Sequence, residues 1–164
     1  MNEISSTAKS ILEKGKAGYP GIYLLSPEDA RSIGDIKQAA RSMDRRVFVW
    51  SFGRGFVEEP INAQALPANA RKVEITPIPD SESPTQALAL LLKEEEANSP
   101  RARAAGGAQA PQLPKQSAVF VLRLFHHFLE DPMIQTMLTM LVGKLKVSKR
   151  MVVILTPVIK LPAE

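Results

Sequence analysis

The chain has 164 residues, of which 45% are hydrophobic and 23% are charged, a balance that is ordinary for one globular domain. It contains no cysteine, which excludes disulfides, thiolate metal sites and cysteine nucleophiles. No apolar run approaches the length of a membrane span, and the N-terminal region lacks the apolar segment of a secretory signal. We therefore expect a cytoplasmic protein that makes no membrane contact.

The net charge of +4 is unevenly distributed along the chain. Residues 1–98 carry a balance of −2, whereas residues 99–164 carry +6. The basic residues of the second part fall mainly in 101–115 and in 144–150, where a predicted helix ends. Cations at a helix C-terminus interact favourably with the helix dipole, and no aromatic residues lie among them to stack on bases. Nucleic-acid binding by this basic half is therefore a less favoured alternative.

The first part of the chain predicts helices and strands in alternation. A helix over 4–16 precedes a compact apolar strand over 21–25, and a second strand covers 46–51. Between the strands, Ser26-Pro27-Glu28-Asp29 is a typical helix start, with serine as N-cap, proline at the first helical position and an acid three residues after the cap. Hydrophobicity in the second strand is continuous rather than alternating, which is typical of a strand covered on both faces.

The second part predicts two more helices and two more strands, separated by irregular segments. From 52 to 82 the pattern is weak, and only 72–76 is a candidate edge strand. Ser83 and Gln86 have the spacing of a capping box for a helix that runs to about residue 98. Residues 99–116 have no apolar period and predict a flexible loop. The last elements are a strand over 118–124, a helix opened by Glu130-Asp131-Pro132 and a strand over 151–156.

Alternation of helices with doubly buried strands requires crossover connections, and therefore a mainly parallel sheet. We expect residues 1–164 to form a single three-layer α/β domain around a four-stranded sheet.

The carboxyl ends of parallel strands are where α/β domains bind ligands, so residues that follow the strands are the candidate ligand- or partner-facing residues. Ser26, Glu28 and Asp29 follow the first strand. A phosphate site there would need a glycine-rich loop whose N–H groups wrap the anion, but proline removes a donor and two acids repel phosphate. No acid ends the strand over 118–124, where a magnesium-holding carboxylate would be expected. Both features therefore disfavour nucleotide binding in the usual mode.

Arg54, His126 and His127 are the other candidates at this edge. Arg54 lies between two glycines after the second strand. Its side chain could bind an anion or could hold the long loop against the sheet, and the sequence favours neither role over the other. Adjacent histidines point in different directions and do not readily bind one metal ion, so we expect no metal site. No nucleophile motif accompanies them, so we predict no catalytic residue and favour polar loop histidines.

Several blocks of residues carry a family resemblance in their order and spacing. The earlier blocks are Tyr19-Pro20-Gly21-Ile22-Tyr23-Leu24, Glu28-Asp29-Ala30-Arg31, Val49-Trp50-Ser51 and Arg54-Gly55. The later blocks are Val119-Phe120-Val121-Leu122, Phe125-His126, Phe128-Leu129-Glu130-Asp131-Pro132 and Ile154-Leu155-Thr156-Pro157-Val158-Ile159-Lys160-Leu161-Pro162. Over 18–164, apart from a poorly matching stretch at 52–116, the chain resembles the opening region of one group of AAA-family ATPases. The group is named for a conserved open reading frame of plastid and cyanobacterial genomes.

The resemblance implies a degenerate P-loop-like domain that precedes a true AAA module in the parent protein. It implies that the four expected strands lie in the order first, fourth, third, second (1-4-3-2). ATP and Mg²⁺ would then be cofactors of the downstream module, with no cofactor in this chain. The chain departs from the family at Leu124, where an acid often precedes the Phe-His pair, and this departure weakens any nucleotide or metal role further.

The leading hypothesis is a non-catalytic regulatory or assembly domain of an AAA ATPase, which contacts its own AAA module and protein partners. A domain that itself binds or hydrolyses nucleotide is the alternative. With the implied strand order, the first strand lies at an open edge, and its uncharged Ile22, Tyr23, Leu24 and Leu25 form a candidate interface for self-association. A helix over 4–16 that folds across this edge would instead hide it.

Overall fold

The computed structural model describes residues 3–60, 76–97, 117–146, 148 and 150–157. The helices are α1 (Ser6–Lys16), α2 (Asp29–Ser42), α3 (Pro84–Ala97) and α4 (Pro132–Leu145), with a 3₁₀-helix at Phe125–Phe128. The strands are β1 (Gly21–Leu25), β2 (Arg46–Ser51), β3 (Gly55–Glu59), β4 (Ala118–Arg123) and β5 (Met151–Thr156). The expected loop at 99–116 lies outside the described residues, as does the candidate strand at 72–76 apart from Thr76.

The strands form one mostly parallel sheet in the order β1-β5-β4-β2-β3. Neighbouring strands are parallel except for β3, which pairs antiparallel with β2. The α/β class is confirmed, but the sheet of the described residues has five strands, so our prediction of a four-stranded sheet is wrong. Its four parallel strands follow one another as β1, β5, β4 and β2.

Helices cover both faces of this sheet. On one face, α1 and α2 pack over Val47, Val49 and the alternate residues of β4 and β5. On the other face, α3 and α4 pack over Phe48, Trp50 and Phe120. Successive residues of a strand point to opposite faces, so a strand between two helical layers must be apolar throughout. This two-sided burial explains the unbroken hydrophobicity of β2, β4 and β5.

The unexpected strand β3 follows β2 through a tight turn. Gly55, at its start, has φ +85°, a conformation that favours glycine. A Cβ at this position would collide with the hydroxyl of Ser81. That hydroxyl accepts a hydrogen bond from the N–H of Phe56 at 3.0 Å and donates one to the carbonyl of Ile78 at 2.7 Å. Trp50 donates its indole N–H to the Ser81 carbonyl at 2.6 Å, so the returning chain is fixed against the hairpin.

Two expected helix starts are confirmed and one is wrong. Ser83 and Gln86 form the reciprocal capping box, each bond 3.1 Å long, and Asp131 caps α4 by accepting from the N–H of Met133 at 2.8 Å. Ser26, by contrast, is not the N-cap of α2; Glu28 takes that place, without a side-chain cap bond. The reason is that the N–H of Ser26 still bonds the carbonyl of Thr156 at 2.9 Å, which extends the β1 pairing past the strand end.

A buried ion pair joins α3 to the start of β5. The guanidinium of Arg150 lies 3.2 Å from the carboxylate of Glu95, and both side chains are less than one-tenth exposed. Desolvation by burial raises the pKa of Glu95, while the charge of Arg150 acts in the opposite direction. Since two buried charges depend on each other, removal of one partner leaves the other poorly solvated.

We predict that Arg150→Met lowers the free energy of unfolding by about 3–5 kcal/mol, because Glu95 then loses its buried partner. Urea unfolding at neutral pH measures this loss. The matched control is Lys144→Met, which removes the exposed Lys144–Glu96 pair and should cost less than about 1 kcal/mol. Equal effects of the two substitutions would contradict the prediction.

The raised pKa of Glu95 also sets a pH dependence. A carboxyl that binds its proton more tightly in the folded state contributes most to stability at low pH. This contribution declines as pH rises from the ordinary glutamate value of 4.5 to the raised value, and then stays constant. We predict that the wild type loses stability relative to Glu95→Gln across that window. Urea unfolding of both proteins at a series of pH values tests this, and parallel stability curves would contradict it.

Candidate functional site

The connection from β1 to α2 lies where an α/β domain would hold a phosphate. It consists of only three residues, Ser26, Pro27 and Glu28, none of them glycine. The hydroxyl of Ser26 accepts the N–H of Glu28 at 3.2 Å, and the carboxylate of Glu28 lies 3.3 Å from the guanidinium of Arg31. Two acids, Glu28 and Asp29, therefore stand at the N-terminus of α2, where the helix dipole would otherwise favour a bound anion.

Asp29 forms an ion pair with Arg123 of β4, a strand that is separated from β1 by β5. Arg123, the last residue of β4, forms an ion pair with Asp29 and donates to the hydroxyl of Ser51 at 3.4 Å. Asp29 follows β1, Arg123 ends β4 and Ser51 ends β2, so the arginine links the ends of three strands. Both charged side chains are about one-third exposed, which means that water screens part of their attraction.

Next to this ion pair, the ends of β2 and β4 form an apolar cup. We use this name for the cavity of about 430 Å³ lined by Ser51, Phe52, Arg123, Leu124, His127 and Phe128. Phe52 is 67% exposed and Leu124 is 45% exposed. The ring of Phe128 lies 5.4 Å from that of Phe52 and 6.0 Å from that of the buried Trp50. The cup is thus a partly open extension of the aromatic core.

Leu124, at the rim of the cup, has an unusual backbone conformation. Its φ of +54° places it in the left-handed region, which costs a residue with a Cβ roughly 1–2 kcal/mol. Asp44 and Asp80 also have positive φ, but aspartate tolerates this conformation better than leucine does. The strand that we expected over 118–124 therefore ends at Arg123. Strained backbone persists only where the surrounding structure holds it in place, and such residues often cluster at functional sites.

The two histidines differ in their surroundings although their rings lie 4.0 Å apart. His126 is buried, whereas His127 is exposed and lines the cup. Among the described residues, no group of three or more histidine, aspartate or glutamate side chains is placed to hold a metal ion. The two rings thus lie in different surroundings, one in the interior and one at the cup.

The remaining candidates are not brought together with the cup. Ser26 and Glu28 line a smaller cavity of about 270 Å³ with Asp35 of α2. Arg54 is exposed in the β2–β3 turn, where its N–H donates to the carbonyl of Ser51 at 3.1 Å. The sequence pattern does not predict the cup: neither Phe52 nor Phe128 was a candidate site residue, and Leu124 stood out only as a departure from the family.

Strand β1 lies at one end of the sheet and pairs with β5 in the described part of the chain. Ile22 and Leu24 pack towards α1 and α2, while Tyr23 packs on the opposite face and its hydroxyl accepts from Thr156 at 3.1 Å. Leu25 is exposed. Helix α1 packs against α2. Self-association through this edge stays a prediction.

No helix in the described ranges is long and apolar enough to cross a lipid bilayer.

Comparison with known protein families gives a match over most of the chain. The family model described as the N-terminal domain of SpoVK-like AAA ATPases covers residues 8–164. No significant match was found among curated proteins or among solved structures. The match covers nearly the whole chain and confirms the expectation of an N-terminal domain of an AAA-family ATPase. The chain belongs to the family of N-terminal domains of SpoVK-like AAA ATPases.

Proposed function

We propose that this chain is a non-catalytic interaction domain that regulates or assembles an AAA ATPase. Its partners are the AAA module of its parent protein and further proteins, and ATP and Mg²⁺ act in that module. The observation that carries the proposal is the strained and exposed Leu124 beside the apolar cup, at the edge of the sheet where α/β domains bind their ligands.

The same edge argues against the alternative in which this domain binds nucleotide. A P-loop of the form G-x-x-x-x-G-K-[ST] has eight residues. Only Ser26, Pro27 and Glu28 connect β1 to α2. Asp29 brings a negative charge to the position of a phosphate, and Arg123 brings a positive charge to the end of β4, where a magnesium ligand would be an acid. The ion pair of these two residues reverses the charges that a nucleotide site needs, and it therefore favours the non-catalytic interaction domain over the nucleotide-binding alternative.

Apolar exposure at this edge suits a protein partner better than a small charged ligand. Aromatic and aliphatic side chains that exclude water are the usual centres of protein interfaces. We assign Phe52 and Leu124 as the contact residues, with a partner's apolar side chain in the cup.

Nucleic-acid binding by the basic half receives no support from the described residues. Arg150 is buried against Glu95, and Lys144 pairs with Glu96. Two members of the basic group at 144–150 therefore serve contacts within the domain.

We predict that the chain does not bind ATP at micromolar concentrations, because the β1–α2 connection offers acids in place of a phosphate loop. Isothermal titration calorimetry with Mg-ATP measures this directly. A magnesium-dependent, micromolar affinity would contradict the prediction and would favour the nucleotide-binding alternative.

We predict that Phe52→Ala weakens binding of this chain to the separately produced AAA module at least about tenfold, as truncation of an interface anchor does. Leu124→Gly should weaken binding similarly. It should change the free energy of unfolding by less than about 1 kcal/mol, because relief of the left-handed strain offsets the flexibility of glycine. Ile4→Ala, at an exposed apolar residue before α1, is the control. The affinity is measured by titration calorimetry or interferometry, and equal affinities of all variants would refute the assignment of the cup.

A further inference from the structure

The wall of the apolar cup contains one permanently charged side chain among the described residues that line it, the guanidinium of Arg123. An apolar side chain that fills the cup displaces water from this wall. A charge that loses its water without gaining a partner destabilises the complex, because burial of an unpaired ion is far more costly than burial of an apolar group. Binding of an apolar side chain in the cup therefore requires that the charge of Arg123 be compensated from within the domain.

Asp29 supplies this compensation from outside the cup. Its carboxylate forms an ion pair with Arg123, yet Asp29 is not one of the residues that line the cavity. The contact of the guanidinium with Ser51 is weaker, because the serine hydroxyl is neutral and lies 3.4 Å away. The buried Nε–H of Arg123 has no acceptor within the described part of the chain. The carboxylate of Asp29 is thus the main partner of this cation.

In the free chain, this ion pair is only partly protected from water. The side chains of Arg123 and Asp29 are both about one-third exposed, so solvent screens their attraction. A side chain in the cup excludes water from the side of Arg123, and the attraction between the two charges grows as the local dielectric constant falls. The contribution of Asp29 to the stability of the free chain is therefore small, whereas its contribution to the complex is large.

We propose that Asp29 determines, through Arg123, which side chains the cup accepts and how tightly it binds them. This inference rests on the proposed function, in which an apolar side chain of the AAA module fills the cup. With Asp29 present, the cup is a neutral site that takes an uncharged, apolar side chain. Without Asp29, the same cup presents an uncompensated cation, which disfavours apolar side chains and attracts carboxylates. Asp29 is thus a positioning residue that acts on the partner through Arg123.

The affinity of the full chain for the separately produced AAA module, measured by titration calorimetry, tests this role. Asp29→Asn should weaken binding at least about tenfold, because the complex then covers the guanidinium of Arg123 without a charged partner. Glu28→Gln is the matched control. It removes the same charge one residue earlier, where Glu28 pairs with the exposed Arg31, and it should leave the affinity unchanged.

A second substitution separates the effect of charge from a purely structural one. Arg123→Met in the Asp29→Asn background replaces the uncompensated cation by an apolar side chain, so it should restore the affinity to within about threefold of the wild type. If the ion pair only held the strand ends together, the double variant would bind no better than Asp29→Asn. Urea unfolding checks that each variant is folded, and the midpoints of Asp29→Asn and Glu28→Gln should be similar.

Protection of Arg123 in the complex gives a readout that needs no substitution. Phenylglyoxal modifies accessible arginines, and mass spectrometry of the wild-type chain measures the extent of modification at each of them. Binding of the AAA module should slow the modification of Arg123. Arg41, which is exposed in the last turn of α2, should react as it does in the free chain.

The failure of this inference is distinguishable from the failure of the proposed function. If the wild-type chain does not bind the AAA module, or if Phe52→Ala leaves the affinity unchanged, the cup is not the interface and both are overturned. If Phe52→Ala weakens binding while Asp29→Asn binds as Glu28→Gln does, only the role of Asp29 is overturned. A double variant that stays as weak as Asp29→Asn also overturns this role, as does unchanged modification of Arg123 in the complex.

Discussion

A parallel sheet must be covered on both faces, and this requirement organises the domain. The first five residues of β4 and nearly all of β5 are buried, so apolar side chains point to both sides. Helices α1 and α2 cover one face of the sheet, and α3 and α4 cover the other. Cover is least complete towards β1, whose residues are partly exposed, and along the outer surface of α4. These are the surfaces of the described residues that the packing of the helices leaves exposed.

At the C-terminal end of the sheet, charge and shape point to the same interpretation. The Asp29–Arg123 ion pair closes the place where a phosphate would bind, and the apolar cup opens directly beside it through their shared residue Arg123. This combination of charge and shape is the basis of the interaction role that we propose in place of nucleotide binding. Membership of a family of N-terminal domains of AAA ATPases is consistent with our proposal that ATP acts in a different module of the parent protein.

Elements with a strong local signal were predicted from the sequence with nearly correct bounds. The strands at 46–51 and 151–156 were found because two-sided burial makes them continuously apolar. The strand at 21–25 is only partly buried, and it was found because its short run of apolar residues is compact. Strand β3 was missed because it is short and ends in two glutamates, and its stability comes from pairing with β2 rather than from its own pattern. The cup was missed for a related reason. Exposure of Phe52 and the left-handed turn at Leu124 arise from how distant strands end side by side, which periodicity does not encode.

The close approach of Gly55 to Ser81 has an evolutionary consequence. Any side chain at position 55 must displace the serine hydroxyl, and loss of that hydroxyl leaves the buried N–H of Phe56 without its acceptor. A substitution at either position therefore disturbs the contact between the two. Among descendants of a common ancestor, the glycine at 55 should be retained because its backbone angle is strained for any side chain, and the serine at 81 should be retained with it.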